Sequence, residues 1–325
     1  MSSRPRALVA THGHCFDGMA SAVLFTHLVR AVDPAAKDAD FVYQGQAYDP
    51  GKNGVDPKIF AGATTTAILD FRYTATDALT WYFDHHASAF PSDVERAHYA
   101  KLEEKGHAFY DAKCTSCTKL IADVAKRTFS MDLSQFDELI SWADMIDSAA
   151  FTSAELAVER KEPVMKLLAV IEQQGDDKLL TDLVSRFLVQ PLAEVSTAPD
   201  IVEKYGPIGA LHQAQVDRIR KREERRGPVV WVDLLDGVTE TVTKFVTYAD
   251  VPDAPYSVIA SRTAKRCKIS VGYNPWSGVE RVHDISKICE RFGGGGHPVV
   301  GAIALPMDAE NCRKIALEIV AELGG

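Results

Sequence analysis

The sequence predicts an α/β protein, with an N-terminal doubly wound parallel sheet followed by a smaller C-terminal α/β domain. Three observations carry that reading. Short apolar runs alternate with helical spacing between Ala7 and Phe83, the pattern of strands joined by crossover helices. Beyond Gly227-Pro228 a second set of strand-like runs begins, and it closes on an amphipathic helix. The 325 residues suffice for two domains, each with a core of its own.

The elements follow in order. Ala7–Ala10 reads as the first strand; it breaks at Thr11-His12-Gly13-His14, and Met19–Val32 follows with helical periodicity. Phe41–Gln44 reads as a second strand, Thr64–Phe71 as a β-branched third, and Leu79–Phe83 as a short fourth. Helical patterns dominate from Thr118 to about Leu192. The dense charge of His212–Arg226 reads as a solvated connecting helix of mixed sign rather than a nucleic-acid patch, stopped by Gly227-Pro228. Val229–Val232, Thr241–Thr247, Tyr256–Ala260 and Lys268–Gly272 read as strands, and the last helix sets Ile315, Ile319, Val320 and Leu323 on one face. The expected domains are 1–205 and 228–325, with 206–227 as the connecting helix.

Apolar residues make up 46% and charged residues 25%, an ordinary soluble composition. A net charge of −9 disfavours a broad basic surface that would coat duplex nucleic acid. It leaves room for an anionic substrate, because metal or a few cations reverse the field inside one site. There is no signal-peptide pattern and no apolar stretch of membrane-spanning length, so a cytoplasmic protein with six free thiols and no membrane partner is expected. Cys114-Thr-Ser-Cys117 has redox or half-zinc spacing, yet it lacks a second pair and precedes a helical pattern, and it reads as structural.

Chemistry gathers at four places. His12-Gly-His14-Cys15-Phe-Asp17-Gly18 lies on a strand-to-helix turn, where Gly18 lets the helix begin close to the candidate ligands. Imidazole, thiolate and carboxylate are all ligands for first-row metals. Asp70 follows a buried strand, where a carboxylate is costly unless paired or bound to a cation. Asp84-His85-His86 ends the next apolar run; adjacent histidines on an extended chain point to opposite sides, one towards metal and the other towards substrate or structure. Asp144 lies in a helical pattern with Asp147 as its competitor three residues on. Any one of these is more often a cap or a surface charge; four in order, three of them at strand ends, are not.

In these four motifs the sequence resembles the DHH phosphoesterase superfamily. His12, Cys15 and Asp17 fall on the first motif, Asp70 on the second, Asp84-His85-His86 on the third and Asp144 on the fourth. Arg291-Phe-Gly-Gly-Gly-Gly-His297-Pro, between a helix-like Ile285–Glu290 and the strand-like Val299–Ile303, is similar to the glycine-rich signature of the DHHA1 domain. The resemblance covers nearly the whole chain and points to the nanoRNase-like, nucleotide phosphodiesterase branch. Two departures stand out. Cys15 occupies a position where the family usually carries Asp, which leaves His14 as a rival ligand, and the strand before the glycine run offers Lys268 or Asn274 where the family often has Arg.

What the resemblance implies is a site in the cleft between two domains, with two divalent ions, expected to be Mn2+, with Mg2+ or a softer ion open because of Cys15. His12, Cys15, Asp17, Asp70, His85 and Asp144 are the implied metal ligands, Asp70 bridging. His86 with Asp70 is assigned to catalysis. His86, Gly294, Gly295, Gly296, His297 and Arg262 are assigned to substrate, Arg262 with its neighbours Lys265 and Arg266. The expected substrate is a nucleotide or short single-stranded oligonucleotide, cleaved by exonuclease or phosphodiesterase action; a cyclic dinucleotide or a 3′-phosphonucleotide stays open. A pyrophosphatase fits the glycine signature less well. The rival from another class is a nucleotide-sensing protein that does not hydrolyse. The sequence allows a homodimer.

Overall fold

The structure, a computed structural model, describes residues 4–48, 54–239, 243 and 245–325. The chain divides into two compact units, Met1–Ala150 with Glu162–Ile208, and Phe151–Lys161 with Gly209–Gly325.

The first unit opens with β1 (Arg6–His12), α1 (Phe16–Val32), β2 (Asp40–Gln46), β3 (Thr65–Leu69), β4 (Trp81–Asp84), α2 (Asp93–Glu103), β5 (Ala108–Tyr110), α3 (Cys117–Phe129) and α4 (Asp137–Asp147). After α5 (Ala154–Glu159), which belongs to the second unit, it continues through α6 (Pro163–Gln174), α7 (Asp177–Phe187), α8 (Leu192–Ser196) and the first half of α9 (Pro199–Arg220). Its five strands are all parallel, in the order β2-β1-β3-β4-β5.

Alternation along the strands builds a core on each face of this sheet. Leu8, Ala10, Ile68 and Tyr82 join Phe60, Tyr73, Tyr99 and Leu102 on one side. Trp81 and Phe83 point the other way, edge-on to Phe25 of α1 at 6.1 and 6.2 Å. α1 is apolar nearly all round because it is covered all round, by β1, α3, α4, α6 and α7. Gly18 serves that close packing: a Cβ there would lie 2.2 Å from the carbonyl oxygen of His12.

The second unit continues with β6 (Glu223–Arg226), β7 (Val229–Val238), α10 (Val246–Asp250), β8 (Tyr256–Arg262), β9 (Cys267–Tyr273), α11 (Ile285–Glu290), β10 (Gly295–His297), β11 (Val300–Leu305) and α12 (Ala309–Gly324). Its six strands run β10-β11-β9-β8-β7-β6, with only β7 and β8 parallel. One face packs against α11 and α12 through Ile269, Ile288, Ile303, Ile319 and Leu323. Among the described residues no helix is long and apolar enough to cross a membrane.

Two expectations are corrected. The charged segment to Arg226 is not one helix: α9 ends at Arg220, and Glu223–Arg226 forms a hairpin with β7 around Gly227, whose φ is +60°. Its charges guard the open edge of a sheet rather than a helix surface. Part of Thr241–Thr247, read as a strand, lies outside the described residues, and the chain from Val246 on is helix α10.

The hairpin holds one ill-matched acid. Oε2 of Glu223 is buried without a hydrogen-bond partner. Burial, then the charge of Asp250, pushes its carboxyl from 4.5 up to about 7, with Arg220 opposing. The folded state therefore holds this proton where the unfolded chain releases it, and the residue removes stability as pH rises from 4.5 to about 7. Glu223→Gln is expected to melt at the same temperature as the parent near pH 4.5 and above it past pH 7. Thermal melts of both proteins across that range check this; a constant difference would contradict it.

Candidate metal centre

β1, β3 and β4 lie side by side in the sheet, so their carboxyl ends deliver His12, Asp70 and Asp84-His85-His86 to one edge. At the end of β3 the chain turns sharply: Asp70 sits in left-handed backbone, φ 54°, a conformation Asp tolerates better than most residues. Its N–H still bonds the carbonyl of Phe83 at 2.9 Å, which ties the turn to β4.

Asp70 is fully buried and central. Its Oδ2 lies 3.5 Å from His12 Nδ1 and accepts from the Cys15 thiol at 3.7 Å. Its Oδ1 lies 3.5 Å from His85 Nε2 and 3.7 Å from His86 Nδ1. His85 Nε2 is also 3.3 Å from Asp147 and 4.0 Å from Asp17. These atoms fall into three overlapping triads, His12-Cys15-Asp70, Asp70-His85-His86 and Asp17-His85-Asp147, each within 4.8 Å.

The three buried acids are satisfied in different ways. Asp17 receives the N–H groups of Cys117 and Thr118, at 2.8 and 2.9 Å, the first two amides of α3. Asp84 receives the N–H groups of His85 and His86, the Tyr82 hydroxyl, and His86 Nδ1 at 2.8 Å. Asp70 has only imidazoles and one thiol, and its Oδ1 faces His85 Nε2 with neither atom in an aligned hydrogen bond. Among the described residues no lysine or arginine pairs with Asp17, Asp70, Asp84 or Asp147.

Burial pushes the carboxyl of Asp70 up, but His12, His85 and His86 together outweigh it and hold it below the ordinary range. Asp17 is raised well above that range by burial and then by the charges of Asp70 and Asp147; Asp147 is raised by burial and Asp70. Burial pulls His85 down, yet the surrounding carboxylates bring it up to about 9. His86 is raised, first by its bond to Asp84. A protonated His85 thus supplies the positive charge that a divalent cation would supply better, and two orphaned atoms aimed at each other in a nest of acids fit such an ion.

One expected ligand stands away from the cluster. Asp144, expected among the ligands, turns to the start of α3 and accepts from the hydroxyls of Thr115 and Ser116. Asp147, one turn later at the end of α4, reaches the cluster instead. Of Cys15 and His14, Cys15 lies in the cluster, whereas His14, at φ 55°, turns its ring to the carbonyl of Glu172 and joins none of the three triads. Burial, followed by Asp70 and Asp17, raises the Cys15 thiol well above its usual value, so it keeps its proton unless a metal displaces it. Cys117 donates its thiol to the Phe83 carbonyl and its amide to Asp17, which accounts for the Cys-x-x-Cys spacing as structure.

In the second unit, the glycine run is part sheet. A Cβ at Gly294 would meet the Ala302 carbonyl at 2.3 Å, and one at Gly296 the Val300 carbonyl at 2.2 Å, so the close approach to β11 demands these two. Gly293 and Gly295 face open space, and His297 is exposed. Arg262 keeps a buried Nε without a partner, while Lys265 and Arg266 form an exposed turn closed by Thr263 N–H to the Arg266 carbonyl. Asn274 is buried and spends its amide on the carbonyls of Pro252 and Ala254, so it holds a turn and is not free for substrate. Lys268 stays exposed on β9.

No protein-family model matches the chain. No curated protein matches it either. Solved structures do. The chain is similar to the pGpG-specific phosphodiesterase PggH from Vibrio cholerae, with 17% identity and a TM-score of 0.68 over 98% of both chains. It is similar to the DHH domain of a member of the s1p family of ribosomal proteins, with 11% identity and a TM-score of 0.58 over 99% of this chain and 88% of that one. It is similar to RecJ from Thermus thermophilus in complex with Mn2+, with 10% identity and a TM-score of 0.57; the match covers 98% of this chain but only 52% of RecJ. At these identities the likeness is one of fold, and the fold of this chain is that of the DHH-domain proteins.

Proposed function

We propose that the protein is a divalent-metal-dependent phosphodiesterase of short nucleotides, with a linear dinucleotide such as pGpG as the first substrate to test. The observation that carries this is the buried Asp70 carboxylate, shared by two histidine-containing triads, with one oxygen unpartnered and no lysine or arginine among the described residues to balance it. The likeness in fold to a pGpG phosphodiesterase and to manganese-bound RecJ supports the same reading.

His12, Cys15 and Asp70 would hold one ion, and Asp17, Asp70, His85 and Asp147 a second, Mn2+ or Mg2+. When bound, such ions acidify a water and counter the charge of a phosphate under attack. The chain's own part is positional. Asp17, clamped by the α3 amides, and His85, whose Nδ1 lies 3.1 Å from the Cys114 carbonyl, are fixed in direction before any ligand arrives. His86, held by Asp84 and partly exposed, is the proposed donor to a phosphate oxygen. His297 and the unobstructed positions of Gly293 and Gly295 are the second unit's proposed contacts to substrate, with Arg262 in the same role.

The test is incubation of manganese-loaded protein with pGpG, short RNA, cyclic dinucleotides and 3′-phosphoadenosine nucleotides, with chromatography of the products. Mononucleotide release from pGpG or short RNA is expected; cleavage of cyclic dinucleotides alone would redirect the substrate, and binding without cleavage of any would mean a sensor. Asp70→Asn, which tolerates the left-handed backbone, is expected to lower kcat by at least about a hundred-fold. Asp147→Asn and Cys15→Ser are each expected to lose metal at one position. Asp144→Asn is expected to keep both ions and lose only about 1 kcal/mol of stability with its hydroxyl partners. Elemental analysis of the three variants checks this, and full occupancy in Asp147→Asn would remove it from the ligand set. His297→Ala is expected to raise KM with metal content unchanged; metal loss in that variant would reverse its assignment.

A further inference from the structure

Arg72 stands two residues beyond Asp70, where the chain leaves β3 at the metal-centre edge of the sheet. Its guanidinium carbon lies over the Tyr48 ring, 4.9 Å from the centroid. Tyr48 is itself braced: it stacks on Phe71 at 4.3 Å and meets the rings of His12 and His86 edge-on at 5.3 and 6.4 Å. It is 38% exposed, so this aromatic wall beside the cluster reaches solvent.

Five arginines are paired with acids, Arg186 with Asp200, Arg218 with Asp236, Arg220 with Asp250, Arg225 with Asp253 and Arg313 with Asp233, whereas Arg30 and Arg96 lie, like Arg72, over aromatic rings but away from the metal-centre triads. Arg72 forms no ion pair with an acid among the described residues, although Asp70 stands two positions before it in the chain. The carboxylates of the cluster are committed to imidazoles and main-chain amides. A cation held on a ring face retains all five of its N–H donors. Its planar fork matches two oxygens of a phosphate.

We propose that Arg72 binds a non-bridging oxygen pair of the substrate phosphate and that Tyr48 is the platform that positions it. This deepens the nucleotide phosphodiesterase reading and rests on it for the identity of the phosphate. The cluster's carboxylates would repel a phosphate. Arg72 offsets that repulsion from within the same unit that carries the three triads.

The experiment uses the full chain loaded with manganese. Arg72→Ala is expected to lower kcat/KM on pGpG by about ten- to a hundred-fold, through KM more than kcat, with metal content and melting temperature unchanged. Arg72→Lys should recover part of the loss. Tyr48→Phe, which keeps the ring, should behave like the parent, while Tyr48→Leu should raise KM several-fold. An unchanged KM in Arg72→Ala, or metal loss in that variant, would overturn the proposal. If the parent cleaves no nucleotide, the enzymatic reading fails by itself, and Arg72 is then judged by calorimetry with inorganic phosphate. Binding by the parent that weakens at least about ten-fold in Arg72→Ala supports it; equal affinity, or no binding by the parent, overturns it.

Discussion

Three carboxylates buried at one edge of a sheet are the constraint around which the first unit is arranged. An ionised carboxylate without partners is costly in a dry interior. Asp17 escapes that cost at the start of α3, and Asp84 escapes it through the amides and imidazole of the two residues that follow it. Asp70 has no such shelter and relies on imidazoles. The positions of α1, α3 and α4 follow from this: each brings either a carboxylate or the amides that quiet one. Gly18 is there because α1 has to start against the carbonyl of His12 for Asp17 to reach α3.

The second unit works by a different logic. Its glycines divide between positions with no room for a Cβ beside β11, at Gly294 and Gly296, and positions where a Cβ would meet open space, at Gly293 and Gly295. The charge of β6 protects an edge, and Asn274 secures a turn. Among the described residues, Lys268 and His297 stay exposed and Arg262 keeps a buried Nε without a partner.

Much of this is legible in the sequence. The strands that carry ligands are readable because apolar runs ending abruptly in Asp or His are rare unless something at the strand end uses them. The choice between Asp144 and Asp147 is not readable. Both stand on one helix three residues apart, about sixty degrees in rotation, and which one faces the cluster depends on where Thr115 and Ser116 lie. Tyr48 and Arg72 carry no signal either, since a lone aromatic and a lone arginine in loops acquire meaning only when the fold brings them together. The hairpin at Gly227 reads as a helix stop because Glu-Glu-Arg-Arg has strong helical propensity, and edge pairing with β7 overrides it.

The unfinished charge balance at Asp70 also has a consequence for how the molecule is handled. Acids confined together oppose folding, and a cation that binds only the folded chain relieves that opposition further as its free concentration rises above its dissociation constant. Thermal tolerance thereby becomes a gauge of loading: a preparation treated with chelator should soften, and titrating an ion back should harden it again, without any substrate in the tube. A preparation short of metal would then melt below a loaded one, and its apparent purity on a gel would conceal that difference.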